Sequence, residues 1–115
     1  MKDFSRVMKA LSDPNRVRVL KLLEGGALCV CEIQDVLGLA QPTVSLLMKT
    51  LEDAGLVHKE RQGTWMFYSL AEDSPSPYAK TMLALVKGWL NEDEEVRNLL
   101  AALPEACCRR VKVRN

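Results

Sequence analysis

The stretch AQPTVSLLMKTLEDAGLV, residues 40–57, decides the fold. Pro42 suits the first turn of a helix, where its missing N–H would be unpaired anyway, and Gly55 suits the residue just after the last turn. At about 100° per residue, the polar residues fall on the side opposite to the apolar ones. The stretch therefore predicts an amphipathic helix. Its apolar residues recur at helical spacing and are Val44, Leu47, Met48 and Leu51.

A shorter helix precedes this one along the chain. We expect it over about residues 31–37, with Gly38 as its stop. The connection GLAQ, residues 38–41, has the length found between the two helices of a helix-turn-helix. Two further helices are predicted upstream, in MKDFSRVMKAL (residues 1–11) and SDPNRVRVLKLLEGG (residues 12–26).

Downstream, the sequence changes from a helical to a β pattern. VHKERQGTWMFYSL, residues 57–70, carries Val, Trp, Phe and Tyr, which favour strands, and Gln62-Gly63 separates two extended runs. Helices are again expected in YAKTMLALVKGWL (residues 78–90) and EDEEVRNLLAALPEA (residues 92–106). The predicted fold class is therefore mostly α with a two-stranded β wing, which is a winged helix-turn-helix.

The helix predicted in residues 78–90 has a wider apolar stripe than a surface helix of a small domain needs. Leu85 and Trp89 provide the extra width. Two interpretations remain open: a helix of the core, or a helix that two subunits share in a dimer.

Composition indicates an ordinary globular protein, with 48% hydrophobic residues, 27% charged residues and a net charge of +1. No apolar run approaches the roughly 18–20 residues of a membrane span, and the first residues are not those of an export signal. We therefore expect no membrane partner and a cytoplasmic location, where clustered thiols more often indicate metal or redox chemistry than disulfides. Two interpretations of the basic residues before position 25 remain open: a local DNA-binding face, or solvated charges on helix surfaces, which explains most of them equally well. These residues are Lys2, Arg6, Lys9, Arg16, Arg18 and Lys21.

The polar side of the helix in residues 40–57 has residue types that can read DNA. A helix fits the major groove, and exposed side chains near its N-terminus meet base edges. Glutamine pairs with adenine, lysine reaches phosphate or guanine, and leucine can contact a thymine methyl group. The candidate contacts are Gln41, Thr43, Ser45, Leu46 and Lys49 on the helix, and Lys59, Arg61 and Gln62 in the hairpin. The alternative is an amphipathic helix with an ordinary polar surface.

Two cysteines, Cys29 and Cys31, flank a single valine where the first helix of the pair begins. Thiolates prefer soft ions to magnesium or calcium. On a regular helix, positions i and i+2 point about 200° apart, so we expect both thiols to reach one ion only if the first turn opens. The alternatives are two small buried residues, or a thiol oxidoreductase acting through the pair. No Ser/His/Asp set, phosphate loop or carboxylate pair indicates another enzyme, so we predict no catalytic site.

Together these motifs resemble the ArsR/SmtB family of bacterial metal-sensing repressors, and its arsenic-sensing branch in particular. The resemblance extends over roughly residues 3–90 and rests on ALSDPNRVRVLKLL, LCVCEI, the helix that begins at Gln41, and the hairpin. It implies a homodimer that binds double-stranded operator DNA and leaves when trivalent arsenic or antimony binds the cysteine pair. It also implies DNA contacts at Gln41, Thr43, Ser45 and the wing. A sensor of cadmium or lead is the alternative within the family.

The sequence departs from the family pattern in three places. A common arsenic site reads C-x-C-x-x-C, and Gln34 stands where its third cysteine would be. Leu46 stands where the family usually has a basic residue or histidine. The only histidine, His58, lies in the wing, so a zinc site of the histidine/carboxylate type is predicted to be absent.

The remaining thiols, Cys107 and Cys108, are the other candidate metal ligands. The alternatives are that they belong to an unstructured tail, or that water or a small cytosolic thiol completes the site. They lie in a basic tail that we assign to residues 104–115. Residues 1–103 are then expected to form one winged helix-turn-helix domain for DNA binding and dimerisation.

Overall fold

Helices and strands alternate along residues 1–105, the part of the chain that a computed structural model describes. Six helices and three strands occur in that range, and a short 3-10 turn, Leu103–Glu105, ends it. The helices are α1 (Lys2–Ala10), α2 (Pro14–Leu23), α3 (Val30–Leu37), α4 (Gln41–Asp53), α5 (Pro77–Lys87) and α6 (Glu94–Ala102). The strands are β1 (Leu28–Cys29), β2 (Val57–Gln62) and β3 (Trp65–Leu70). The predicted winged helix-turn-helix is confirmed.

Side-chain caps explain where three of the helices begin. Asp13 accepts a hydrogen bond from the backbone N–H of Arg16 at 3.1 Å, and α2 starts at the next residue. Ser76 caps α5 in the same way, and Asp93 caps α6. These caps satisfy N–H groups that have no partner inside the helix, so the sequence itself fixes these starting points.

The core lies where α1, α2, α3 and α4 meet the base of the sheet and α5. Apolar side chains with almost no solvent contact fill it, and those of α4 come from the face that helical periodicity predicts. The largest of them are Leu20, Leu22, Ile33, Met48, Leu51 and Leu56. This packing holds α3 and α4 as a rigid pair on one side of the molecule.

The turn between α3 and α4 depends on Gly38. Its φ of 68° lies in the left-handed region, and its N–H donates to the carbonyl of Gln34 at 2.9 Å. Glycine adopts this conformation without the clash that a Cβ would make, which is why it commonly ends helices. The predicted helix-turn-helix is therefore present, with α3 starting at Val30 rather than at residue 31.

The sheet contains the predicted wing and one strand that the sequence did not reveal. β2 and β3 form an antiparallel hairpin in which Gln62 pairs with Trp65, and Gly63 in the turn has a φ of 64°. The strand order is β1-β3-β2, with Cys29 of β1 paired to Phe67 of β3. Two residues are too few to show the alternation that predicts a strand.

Lys21 departs from the expectation of a solvated charge, because its side chain is only 1% exposed. Its ammonium donates to the carbonyl of Val86 at 3.0 Å and to Oδ1 of Asn91 at 2.9 Å, and it lies 2.9 Å from Oε2 of Glu24. Three acceptors thus replace the water that a buried ammonium would lose. The bonds join α2 to the end of α5 and the turn that follows.

Several large apolar side chains remain exposed along α1 and α5. Phe4 and Tyr78 contact each other edge to face, with ring centroids 5.5 Å apart, and both stay about two-fifths exposed. Leu85 of α5 is 44% exposed, and Trp89, two residues after the end of that helix, is 50% exposed. We call these four residues the α1/α5 apolar face. Within residues 1–105, no helix combines the length and apolar character that crossing a membrane requires.

Candidate DNA-binding surface and thiol site

All five candidate contacts on α4 are exposed to solvent, on the side of the helix away from the core. Gln41 begins the helix, and Ala40 provides no side-chain cap, so the N–H groups of the first turn point to solvent. Such groups bind phosphate well because the helix dipole adds to their hydrogen bonds. The exposed residues are Gln41, Thr43, Ser45, Leu46 and Lys49. Ser45, Leu46 and Lys49 lie within about 100° of one another around the helix axis, and Gln41 and Thr43 flank them at the N-terminus.

The three wing candidates lie together on the outer strand. Lys59, Arg61 and Gln62 are exposed on β2, with Arg61 and Gln62 next to the turn. Lys59 lies 3.7 Å from Glu52 of α4. Lys49 also has an acidic neighbour, since its Nζ lies 3.6 Å from Asp53. The two lysines of this surface are therefore partly neutralised by carboxylates of α4.

The sulfur atoms of Cys29 and Cys31 lie 3.1 Å apart while α3 remains intact. The expectation that the thiols can meet only after the first turn opens is therefore wrong. The reason is that Cys29 precedes the helix: it is the N-cap, with extended backbone at φ −80° and ψ 160°. Because one residue is extended and the other helical, the angle of about 200° for a continuous helix does not apply.

Glu32 holds the backbone around the thiols. Its buried carboxylate accepts a hydrogen bond from the N–H of Cys29 at 2.9 Å, while its own N–H faces the Cys29 sulfur in a capping box. Sulfur is a weak acceptor, so the carboxylate bond is the stronger half of this box. Burial raises the pKa of the Cys29 thiol above its usual value, and the charge of Glu32 raises it further. Both effects favour the protonated form of the thiol.

The two cysteines also contact the wing. Cys29 and Phe67 are buried against each other, with Cys31 and Trp65 packed alongside. Cys29 is only 1% exposed. Sequence reasoning missed both aromatic residues, because the β1–β3 pairing joins positions about 40 residues apart and leaves no local pattern. Glu32 was recognisable in principle, because an acidic residue three positions after an N-cap is typical of capping boxes.

A cleft of about 340 Å³ opens beside Cys31. Gln34 lines it, so the position where the family pattern has a third cysteine does face the space next to the thiols. The other lining residues are Asp35, Gly38 and Leu39. Among residues 1–105, no three His, Cys, Asp or Glu side chains are grouped closely enough to hold a metal ion. Cys107 and Cys108, and with them most of the predicted tail, lie outside the described residues.

Comparison with known proteins identifies the family of this chain. The model of the family described as "Bacterial regulatory protein, arsR family" matches residues 13–59. An uncharacterized HTH-type transcriptional regulator of Methanocaldococcus jannaschii is 44% identical over 60% of this chain and 79% of that protein. The arsenical resistance operon repressor of Escherichia coli is 32% identical over 90% of this chain and 86% of that protein. The chain belongs to the ArsR family.

A solved structure of the family agrees with the fold. The homodimeric winged helix-turn-helix DNA-binding domain of a Mycobacterium bovis protein is 32% identical, with a TM-score of 0.66, over 81% of this chain and 82% of that one. ArsR-family proteins are DNA-binding transcriptional regulators rather than enzymes, which confirms the prediction that this chain is not an enzyme.

Proposed function

We propose that this ArsR-family protein is a repressor that binds operator DNA as a homodimer and is released when trivalent arsenic or antimony binds its cysteine thiolates. The position of Cys29 carries the proposal. This residue pairs with the wing through β1, caps the first helix of the DNA-binding pair, and brings its sulfur within 3.1 Å of Cys31. A ligand held there acts on both parts of the DNA-binding surface.

The DNA contacts follow from the exposed faces of α4 and β2. We assign base and phosphate contacts in the major groove to Gln41, Thr43, Ser45, Leu46 and Lys49. We assign contacts to the backbone or minor groove beside it to Lys59, Arg61 and Gln62. A regulator that uses these elements reads one half-site with each subunit.

The α1/α5 apolar face supports the homodimer. Its four large side chains line one side of the chain, and exposed aromatic residues are typical of the buried centres of interfaces. A two-fold dimer formed through this face covers two half-sites about 34 Å apart, one turn of DNA. An arsenical resistance operon repressor from Bacillus subtilis, 30% identical over 94% of this chain and 82% of that protein, supports repression as the outcome.

The donor set fits a thiophilic ion. Two sulfurs 3.1 Å apart are soft ligands, and the cleft beside Cys31 leaves room for a third ligand. We assign that third position to Cys107 or Cys108, with water or a small thiol as the alternative. Trivalent arsenic and antimony are the leading inducers because they bind up to three sulfurs, and cadmium or lead is the second candidate. No part of the proposal requires a zinc site made of histidines and carboxylates.

Release is proposed to begin at the N-terminus of α3. A ligand bound to the Cys29 sulfur displaces the residue that caps α3, and its backbone shifts relative to Phe67. Movement there changes the angle between the wing and α4, so that both can no longer contact the same stretch of DNA. Structures with and without arsenite that have the same backbone over residues 28–34 would refute this mechanism.

A gel-shift titration on the protein's own promoter tests the proposal. The dimer should retard the fragment in reducing buffer, and arsenite or antimonite should release it at lower concentration than cadmium, lead or zinc. Cys29→Ser and Cys31→Ser should each bind DNA normally but resist release. The Cys107/Cys108 double serine variant shows whether the tail supplies the third sulfur.

Three results would count against the proposal. Failure to bind any promoter fragment specifically would refute the repressor function. Release by cadmium or lead alone would assign a different inducer to the same thiols. Unchanged arsenite release in both Cys29→Ser and Cys31→Ser would move the sensor site elsewhere.

A further inference from the structure

Leu46 is exposed in the middle of the surface that faces DNA. Its relative exposure is 69%, and no other large apolar side chain of α4 is exposed. Val44, Leu47 and Met48, its neighbours in sequence, all point into the core. The helical period therefore fixes Leu46 on the outer face, one turn from Thr43 and from Lys49.

Charge at this face is weaker than the sequence suggests. Lys49 lies 3.6 Å from Asp53, and Lys59 lies 3.7 Å from Glu52. These carboxylates reduce the attraction that the two lysines exert on phosphate. Apolar contacts, which do not depend on charge, therefore contribute a larger fraction of the DNA recognition by α4.

We propose that Leu46 reads the 5-methyl group of a thymine in each operator half-site. This inference rests on the proposed DNA-binding function and adds the identity of a base to it. In the major groove, only thymine presents a methyl group among the four bases. The leucine side chain has no hydrogen-bonding group, so against guanine or cytosine it would leave polar base edges without a partner. Leu46 thus favours thymine and disfavours a G·C pair.

An exposed leucine on this helix has two further possible roles, and each predicts a different binding pattern. A leucine that makes no contact would be unremarkable, because single apolar side chains are common on protein surfaces. A leucine that packs on the sugar–phosphate backbone would strengthen binding to every sequence alike. Only if Leu46 contacts a thymine methyl group does its contribution to DNA affinity depend on the presence of that methyl group at one position of the operator.

Replacing thymine by deoxyuridine removes that methyl group and leaves base pairing intact. The operator is first located by footprinting on the protein's own promoter. Duplexes with each thymine replaced in turn are then titrated with wild-type protein and with Leu46→Ala at one salt concentration, using fluorescence anisotropy. Alanine suits an exposed helical position, so the variant should fold. Leu100→Ala, which shortens another exposed leucine on α6, is the matched control.

We expect at least one thymine in each half-site whose replacement weakens wild-type binding about fourfold, the effect of one buried carbon group. That loss should disappear in Leu46→Ala and persist in Leu100→Ala. If no position shows this coupling, or if Leu46→Ala weakens all duplexes equally, the inference is wrong while the repressor proposal stands. If wild-type protein binds no duplex specifically, both fail.

Discussion

Individual residues of this protein differ from what their chemical type suggests. Lys21 is a lysine inside the core, and Leu46 is a leucine on the surface. Their positions on the two helices explain both. Lys21 lies within Val19–Leu23, five consecutive buried residues, so this end of α2 is surrounded by protein on all sides. Leu46 lies off the buried stripe of α4. The surroundings of each helix therefore decide burial at both positions, against the polarity of the side chain.

Replacing Lys21 should cost much of the stability that its three bonds provide. In Lys21→Met, the carbonyl of Val86 and the Asn91 amide lose their donor, and Glu24 loses its cation. We expect the free energy of unfolding to fall by about 2–4 kcal/mol, since Glu24 can partly regain water. Urea denaturation measures this change. Lys80→Met, at an exposed position of α5, should change it by less than about 0.5 kcal/mol. Equal effects of the two variants would contradict the role of the buried bonds.

The pair formed by Lys49 and Asp53 should regulate affinity for DNA. Asp53→Asn frees the lysine and removes a negative charge, so binding to the promoter should strengthen about two- to fivefold. Lys49→Gln should weaken binding and reduce the slope of log K against log salt by about 0.9. Anisotropy titrations between low and moderate salt measure both. Glu94→Gln makes the same charge change on α6, and an equal effect there would attribute the result to net charge alone.

At the scale of elements, the sequence predicts helices with a periodic pattern of apolar residues but does not predict a strand that pairs with a distant part of the chain. The helices are predictable because apolar residues recur every three or four positions and caps mark the ends, as at Asp13 and Gly38. The hairpin is predictable from its turn. β1 is not predictable from the sequence, because it contains only two residues and is a strand only through its pairing with β3. The meeting of the two sulfurs is likewise unpredictable, since it follows from the extended backbone of Cys29.

The turn of the wing should depend on the missing side chain of Gly63. Its φ is 64°, and a Cβ built there meets no atom within 4 Å, so Gly63→Ala introduces backbone strain without a clash. We expect a loss of about 1 kcal/mol in the free energy of unfolding. Gly25 also has open space but no positive φ in the left-handed range. Gly25→Ala should therefore be neutral or slightly stabilising in the same urea titration. A similar loss in both variants would argue against strain at Gly63.

At the scale of the whole molecule, the two halves of the proposed regulator depend on each other through α5. A subunit alone can offer only one α4 to DNA. In the proposed dimer, the α1/α5 apolar face is covered by a second subunit, which supplies the second α4. The sequence indicated the width of this stripe at Leu85 and Trp89 but left open whether the core or a partner covers it. The exposure of both side chains favours the partner.

A charge in the middle of that face should separate the subunits. We expect Leu85→Glu to weaken dimerisation at least about a hundredfold, since a carboxylate buried without a partner costs several kcal/mol. Sedimentation velocity should then show a dimer for wild type and a monomer for the variant. Leu100→Glu places the same charge on α6 and should remain dimeric. A wild-type monomer would refute the homodimer, and a dimeric Leu85→Glu would place the interface elsewhere.

The burial of Cys29 has a thermodynamic consequence for the proposed regulator. DNA cannot touch a sulfur that is 1% exposed behind the wing, so inducer and operator do not compete for the same atoms. Any antagonism between them is then a coupling free energy, which acts equally in both directions. The operator must lower the affinity of the thiols for the inducer by the same factor by which the inducer lowers the affinity for the operator. Promoter-bound protein would therefore respond at a higher inducer concentration than the free pool.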